Sequence, residues 1–145
     1  MSKKTYLDAT QKAGQEFFMR QIKGPVVMLN LLKYRQTAEY PADHPLAPGA
    51  SISGEEAYQL YIRHTLPFLQ KAGSEIIFYG KGGAFLIGPE AEEEEWDMAL
   101  LVKHASVQKF MEFAVTKEYL LGVVHRTAAL EDSRLLPIVE ESLLV

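Results

Sequence analysis

The chain has no cysteine. That excludes disulfides, thiolate metal sites and a cysteine nucleophile, and it is compatible with the reducing cytoplasm expected as its location. Histidine is scarce, with 4 in all. No H-x-x-x-H or H-E-x-x-H spacing occurs, and no carboxylates cluster with a histidine in sequence, so neither a metal nor a bound cofactor is expected. There is no phosphate-binding glycine loop and no G-x-S-x-G nucleophile turn; Gly80 to Gly83 leads from one strand into another, not into a helix. No window approaches the roughly 20 apolar residues of a membrane helix. No apolar stretch follows Met1-Ser2-Lys3-Lys4, so no signal peptide is expected.

A basic surface is also lacking. Lys and Arg number 15 against 19 Asp and Glu, for a net charge of −4. That argues against nucleic acid and anionic membrane as partners. What is present is ordinary for a globular chain: 48% hydrophobic and 23% charged residues. The 145 residues fit one domain. A domain of this size buries roughly 70% of its unfolded surface and needs no staples. The expected organisation is a single unit over 1–145, with a helical extension at 1–24 ahead of a core at 25–139.

The pattern reads as follows. Asp8 to Lys23 is a predicted helix, with Asp8 and Gln11 at capping-box spacing and Gly24-Pro25 as its stop. Val26 to Arg35 is a predicted strand, apolar on both faces. The long Gln36–Gly54 loop, rich in Pro and Gly, follows. Ser53 and Glu56 form a second capping box for a helix that runs to about Ala72, with Pro67 inside it. Ser74 to Tyr79 is a strand, broken or bulged by Gly80, Gly82 and Gly83 and resumed at Ala84 to Ile87. After an acidic turn, Trp96 to Lys103 is the next strand. Helices capped by Ser106 and Thr116 follow, then a short strand from Arg134 to Val139, marked by Pro137 as an edge or a strand end.

That order predicts an α+β, ferredoxin-like βαββαβ antiparallel sheet preceded by a helix. Helices cover only one face of such a sheet. Strands apolar on both faces therefore require a second layer, and a second copy packed sheet to sheet is the economical source. The prediction is a homodimer closed into an α/β barrel.

The residues also resemble a family. Its marks are VVMLNLLKYR after Gly24-Pro25, G-x-E-A-Y-x-x-Y at Gly54 to Tyr61, E-x-W-D at Glu94 to Asp97, and H-R-T-A-A-L-E-D-S-R-L at His125 to Leu135. These are similar to an uncharacterised bacterial family of the dimeric α/β-barrel superfamily, NIPSNAP-like and antibiotic-biosynthesis-monooxygenase-like. The resemblance implies a ferredoxin-like fold and a homodimer. It carries over no catalytic residue.

Seven residues are ligand-binding candidates. Asn30 interrupts an apolar strand, either as a ligand-facing amide sharing a face with Met28, Leu32 and Tyr34 or as a tie to a neighbouring strand. Trp96 opens a strand as pocket floor or core, and Asp97 next to it is a general base or a paired strand-end carboxylate. His125 and Arg126 near a helix end are an anion clamp or complements to the helix dipole. His64 flanks an apolar helical stripe just before Pro67. The expected function is binding of a small apolar or aromatic molecule, with cofactor-independent catalysis by analogy to the superfamily's monooxygenases. The alternative is a structural or regulatory homodimer whose Asn30 and Arg126 bond only within the protein. A haem-binding or haem-degrading role is disfavoured: those members use a His on the helix after the Trp strand, whereas His104 precedes the helix that starts at Ser106.

Overall fold

The computed structural model describes residues 4–144, so Met1, Ser2 and Lys3 of the N-terminal stretch lie outside the described residues. The elements are α1 (Gln11–Met19), β1 (Val26–Tyr34), α2 (Gly54–Lys71), β2 (Glu75–Gly83), β3 (Trp96–His104), α3 (Val107–Ala114), α4 (Lys117–Ala129) and β4 (Leu130–Ile138). The strands form one antiparallel sheet in the order β2-β3-β1-β4. This is the expected ferredoxin-like architecture. Within one chain the sheet stays open, with β2 and β4 as edges, and does not close into a barrel. Pro137 sits on the β4 edge, where a missing N–H costs least.

Capping chemistry fixes the helices. In α2, Ser53 Oγ accepts from the Glu56 N–H and Glu56 Oε1 accepts from the Ser53 N–H, each at 3.0 Å. Ser106 and Thr116 cap α3 and α4 from one side only, each hydroxyl accepting from the N–H three residues on. Four boundaries differ from the sequence reading. The cap of α1 is Thr10, which accepts from the Ala13 N–H at 3.0 Å, and not Asp8. That helix also stops short of Lys23, because Gln21 turns left-handed (φ 51°) and Arg20 donates to the Pro137 carbonyl at 3.1 Å. Strand β2 runs on to Gly83, its bulge falls at Ile76–Phe78, and Ala84–Ile87 forms no strand. Strand β4 begins at Leu130, directly from the last turn of α4, because Tyr34 and Lys33 supply pairing partners that far back.

The register sorts the strands into two faces. On one, Leu32, Met98, Leu100 and Val102 pack against Ala57, Tyr58, Tyr61 and Leu69 of α2, with Phe113, Ala129 and Leu130 closing the core. Gly54 lets α2 start close to the sheet: a Cβ there would run into the backbone of Arg35 and Ala129. Gly122 does the same between helices, since a Cβ there would strike the His64 ring. Among the described residues no helix packs on the other face. Its central row is Phe78–Leu101–Leu29–Leu136, apolar across all four strands. The rows on either side are Glu75–Lys103–Val27–Ile138 and Gly80–Ala99–Leu31–Arg134. Phe78 and Leu136 are 55% and 54% exposed there.

Candidate functional site

At one end of the sheet β1 finishes, β3 begins and α2 starts. The pairing of β1 with β3 stops at Leu32–Met98, and the Asp97 side chain takes over from the ladder. Its Oδ2 accepts from the Tyr34 N–H at 2.7 Å, so this carboxylate satisfies a strand-end donor. Beside it lies a depression of about 380 Å³, lined by Tyr34, Arg35, Gln36, Ser53, Glu55, Lys81, Asp97 and Met98.

The Tyr34 hydroxyl lies 3.3 Å from that of Tyr79, which in turn accepts from Gln59 Nε2 at 2.9 Å. Burial, and then the bond to Tyr79, push the Tyr34 phenol far above its ordinary pKa. It is a fixed hydrogen-bond donor or acceptor at neutral pH, not a base. Arg35 and Lys81 add cationic donors, Glu55 and Asp97 add acceptors, and Met98 supplies apolar wall. Such a mix orients a small molecule of modest polarity. It does not contain a paired nucleophile and base.

The remaining candidates stand elsewhere. Trp96 is 3% exposed; its Nε1 donates to Glu94 Oε2 at 2.7 Å, and the Arg134 guanidinium lies 4.9 Å from its ring and 4.8 Å from that of Tyr6. Asp132 holds that guanidinium with a 2.7 Å ion pair. Asn30 shares the helix-covered face with Leu100, its cross-strand partner, and with Met28 and Leu32. Its Nδ2 donates to the Met28 and Leu100 carbonyls at 3.2 and 3.3 Å, which ties β1 to β3. Arg126 donates to the Leu7 carbonyl at 2.7 Å and to Ser133 Oγ at 3.4 Å, and so fastens the N-terminal segment to β4.

His125 belongs to a separate cluster on α4. Its Nδ1 lies 2.7 Å from the Tyr40 hydroxyl, and the two rings meet edge-on at 5.5 Å. Burial lowers the His125 pKa, with the charges of His64 and His44 adding to the effect. His64 Nε2 donates to the Glu118 carbonyl at 2.7 Å. His104, the residue on which a haem reading turns, is 2% exposed, bonded through Nδ1 to Ser74 Oγ at 2.8 Å and packed against Phe110. Among the described residues no group of three His, Cys, Asp or Glu side chains is placed to hold a metal ion.

The structure therefore brings Tyr34 and Asp97 together, clusters His64 with His125, and leaves Asn30, Trp96 and Arg126 in other surroundings. Tyr79, Gln59, Lys81 and Tyr40 were not singled out from sequence. Tyr79 ends the predicted strand, Lys81 sits among the glycines that suggested a break, and Tyr40 sits in a loop with no periodicity to read.

These features define a ferredoxin-like protein with an open sheet face and a small polar depression at the sheet end. Among solved structures the chain is similar to the RPA0582 protein, a protein of unknown function from Rhodopseudomonas palustris. A methylated form matches with 33% identity and a TM-score of 0.83 over 95% of this chain and 96% of that one. A second structure matches with 32% identity and a TM-score of 0.83 over 96% and 99%. A NIPSNAP domain protein from Burkholderia xenovorans is more distant, with 9% identity and a TM-score of 0.43 over 83% and 98%. No family model and no curated protein matches the chain. The chain belongs to the family of RPA0582, whose function is unknown.

Proposed function

We propose that this protein is a homodimer that binds a small apolar or aromatic molecule in the depression beside Tyr34 and Asp97. The observation that carries the binding is the composition of that depression: one apolar wall at Met98, a phenol kept protonated by burial, and charged groups of both signs at its rim. The homodimer follows from the open face. The row Phe78–Leu101–Leu29–Leu136 is a continuous apolar strip with Phe78 and Leu136 exposed and Leu29 and Leu101 half-buried, and full burial of an exposed side chain of this kind gains roughly 1.5–3 kcal/mol. A second copy packed face to face supplies that cover and turns two open sheets into a barrel.

A second reading, a structural or regulatory homodimer without activity, is favoured by the bonds of Asn30 and Arg126. Both make two hydrogen bonds within the chain. The two readings separate in one experiment. A thermal-shift screen with phenolic and polyketide-like compounds is run on the protein and on its Tyr34→Phe and Lys81→Ala variants. Ligand binding predicts stabilisation of the parent by at least one compound, reduced in both variants. No stabilisation of the parent by any compound leaves the structural reading.

A further inference from the structure

The connection from β2 to β3 is an arm of twelve residues, 84–95, standing beyond the last paired residues Gly83 and Trp96. Its outgoing leg is Phe85-Leu86-Ile87, and these residues are 38%, 100% and 92% exposed. Exposed single apolar residues are common, but adjacent ones in full exposure are a contact surface waiting for cover. The leg has a specified shape. Gly83 (φ 149°) and Gly88 (φ 155°) bracket it in backbone conformations that favour glycine. A Cβ at Gly88 would press on the Phe85 ring at 2.8 Å, so that ring folds back on the turn and directs Leu86 and Ile87 outward. The returning leg is anchored: the Glu90 carbonyl accepts from Glu93 and Glu94 N–H at 2.9 and 3.0 Å, and Glu94 holds Trp96.

The arm is continuous with the open face through β2, where Ile77 is 46% and Phe78 55% exposed. Its charge also complements that face. Glu90, Glu92 and Glu93 are exposed on the arm, whereas the open face carries Lys33 and Lys103, and none of these five has an ion pair among the described residues. An apolar tip followed by carboxylates thus meets an apolar centre whose rim holds two lysines without ion pairs, beside Glu75 and the Asp132–Arg134 pair.

We propose that the 84–95 arm of each protomer docks on a second copy of this chain, with Leu86 and Ile87 seated against its apolar surface and the glutamates beside its lysines. This rests on the homodimer reading above and adds to it the element that clasps the partner.

The absence of native cysteine makes the test clean. A Leu86→Cys variant takes one polarity-sensitive thiol dye, and its emission is followed as protein concentration rises through the dimer-forming range. The expected result is a blue shift that tracks dimer formation seen by sedimentation. In parallel, the unlabelled Leu86→Ser/Ile87→Ser variant, whose changes touch no core residue, should form the dimer at least about 100-fold less tightly while keeping its circular dichroism spectrum. A wild-type dimer whose affinity the double substitution leaves unchanged, with the dye still in a water-like environment, overturns the arm and leaves the sheet-to-sheet dimer standing. A wild-type protein that stays monomeric overturns both.

Discussion

The two faces of the sheet are built from the same four strands and have opposite fates. On the helix-covered face every residue near the centre has a partner: Leu32, Met98 and Leu100 meet α2, and Asn30, the polar exception, donates to two carbonyls. On the open face Leu29, Leu31 and Leu101 are only half-buried, and Phe78 and Leu136 are exposed. The covered face accounts for the fold. The open face is what the fold leaves unfinished, and its composition is that of an interface centre with a charged rim.

Substitutions should separate the two faces sharply. Leu32→Ala on the covered face removes a fully buried side chain and is expected to cost about 4 kcal/mol in chemical denaturation. Leu29→Ala, three residues earlier on the open face, should cost the protomer under about 1 kcal/mol when measured at concentrations too low for association. Equal costs at the two positions would break the comparison. Gly54→Ala should destabilise by about 3 kcal/mol, because the new methyl meets the backbone of Arg35 and Ala129, which cannot step aside as a side chain can.

Acid should act through the covered face. Burial pushes His104 down to about 4, so the folded protein resists a proton that the unfolded chain accepts near 6.5. Stability is retained above the unfolded value and falls as pH drops from about 6.5 toward 4, by at most about 3 kcal/mol from this group. His104→Gln should flatten that part of the profile; an unchanged slope would place the acid sensitivity elsewhere. A smaller effect is expected at Arg126→Ala, which removes one of the ties between the N-terminal segment and β4 and leaves the bonds of Tyr6 to Asp132 and Ser133. A loss of about 1–2 kcal/mol, with faster amide exchange confined to Tyr6–Leu7 and β4, would mark Arg126 as a strap.

Much of the architecture was legible in the chain. The Ser53–Glu56 box, the Ser106 and Thr116 caps and the two-faced apolar strand at Val26 each correspond to a physical device that acts locally, so sequence alone displays them. Boundaries set by long-range pairing were not legible. Strand β4 starts at Leu130 because β1 is there to pair with, and β2 passes through its glycines because β3 holds them. The candidate site was legible only in part. Tyr34 and Asp97 lie beside each other because two strand ends converge, while Tyr79 reaches Tyr34, and Gln59 reaches Tyr79, from elements whose spacing in sequence gives no hint of contact. Asn30 could be read as an exception, but which face it joins depends on the register and on where the helices lie.

Sedimentation equilibrium tests the central claim most directly, run over a wide concentration range on the protein and on Leu101→Glu, which places a charge in the middle of the open apolar row. The parent should fit a mass twice that of the 16.3 kDa chain, and the variant should fit a single chain with its fold intact. A parent that remains a single chain up to millimolar concentration, or a variant that still pairs as tightly as the parent, would contradict the account.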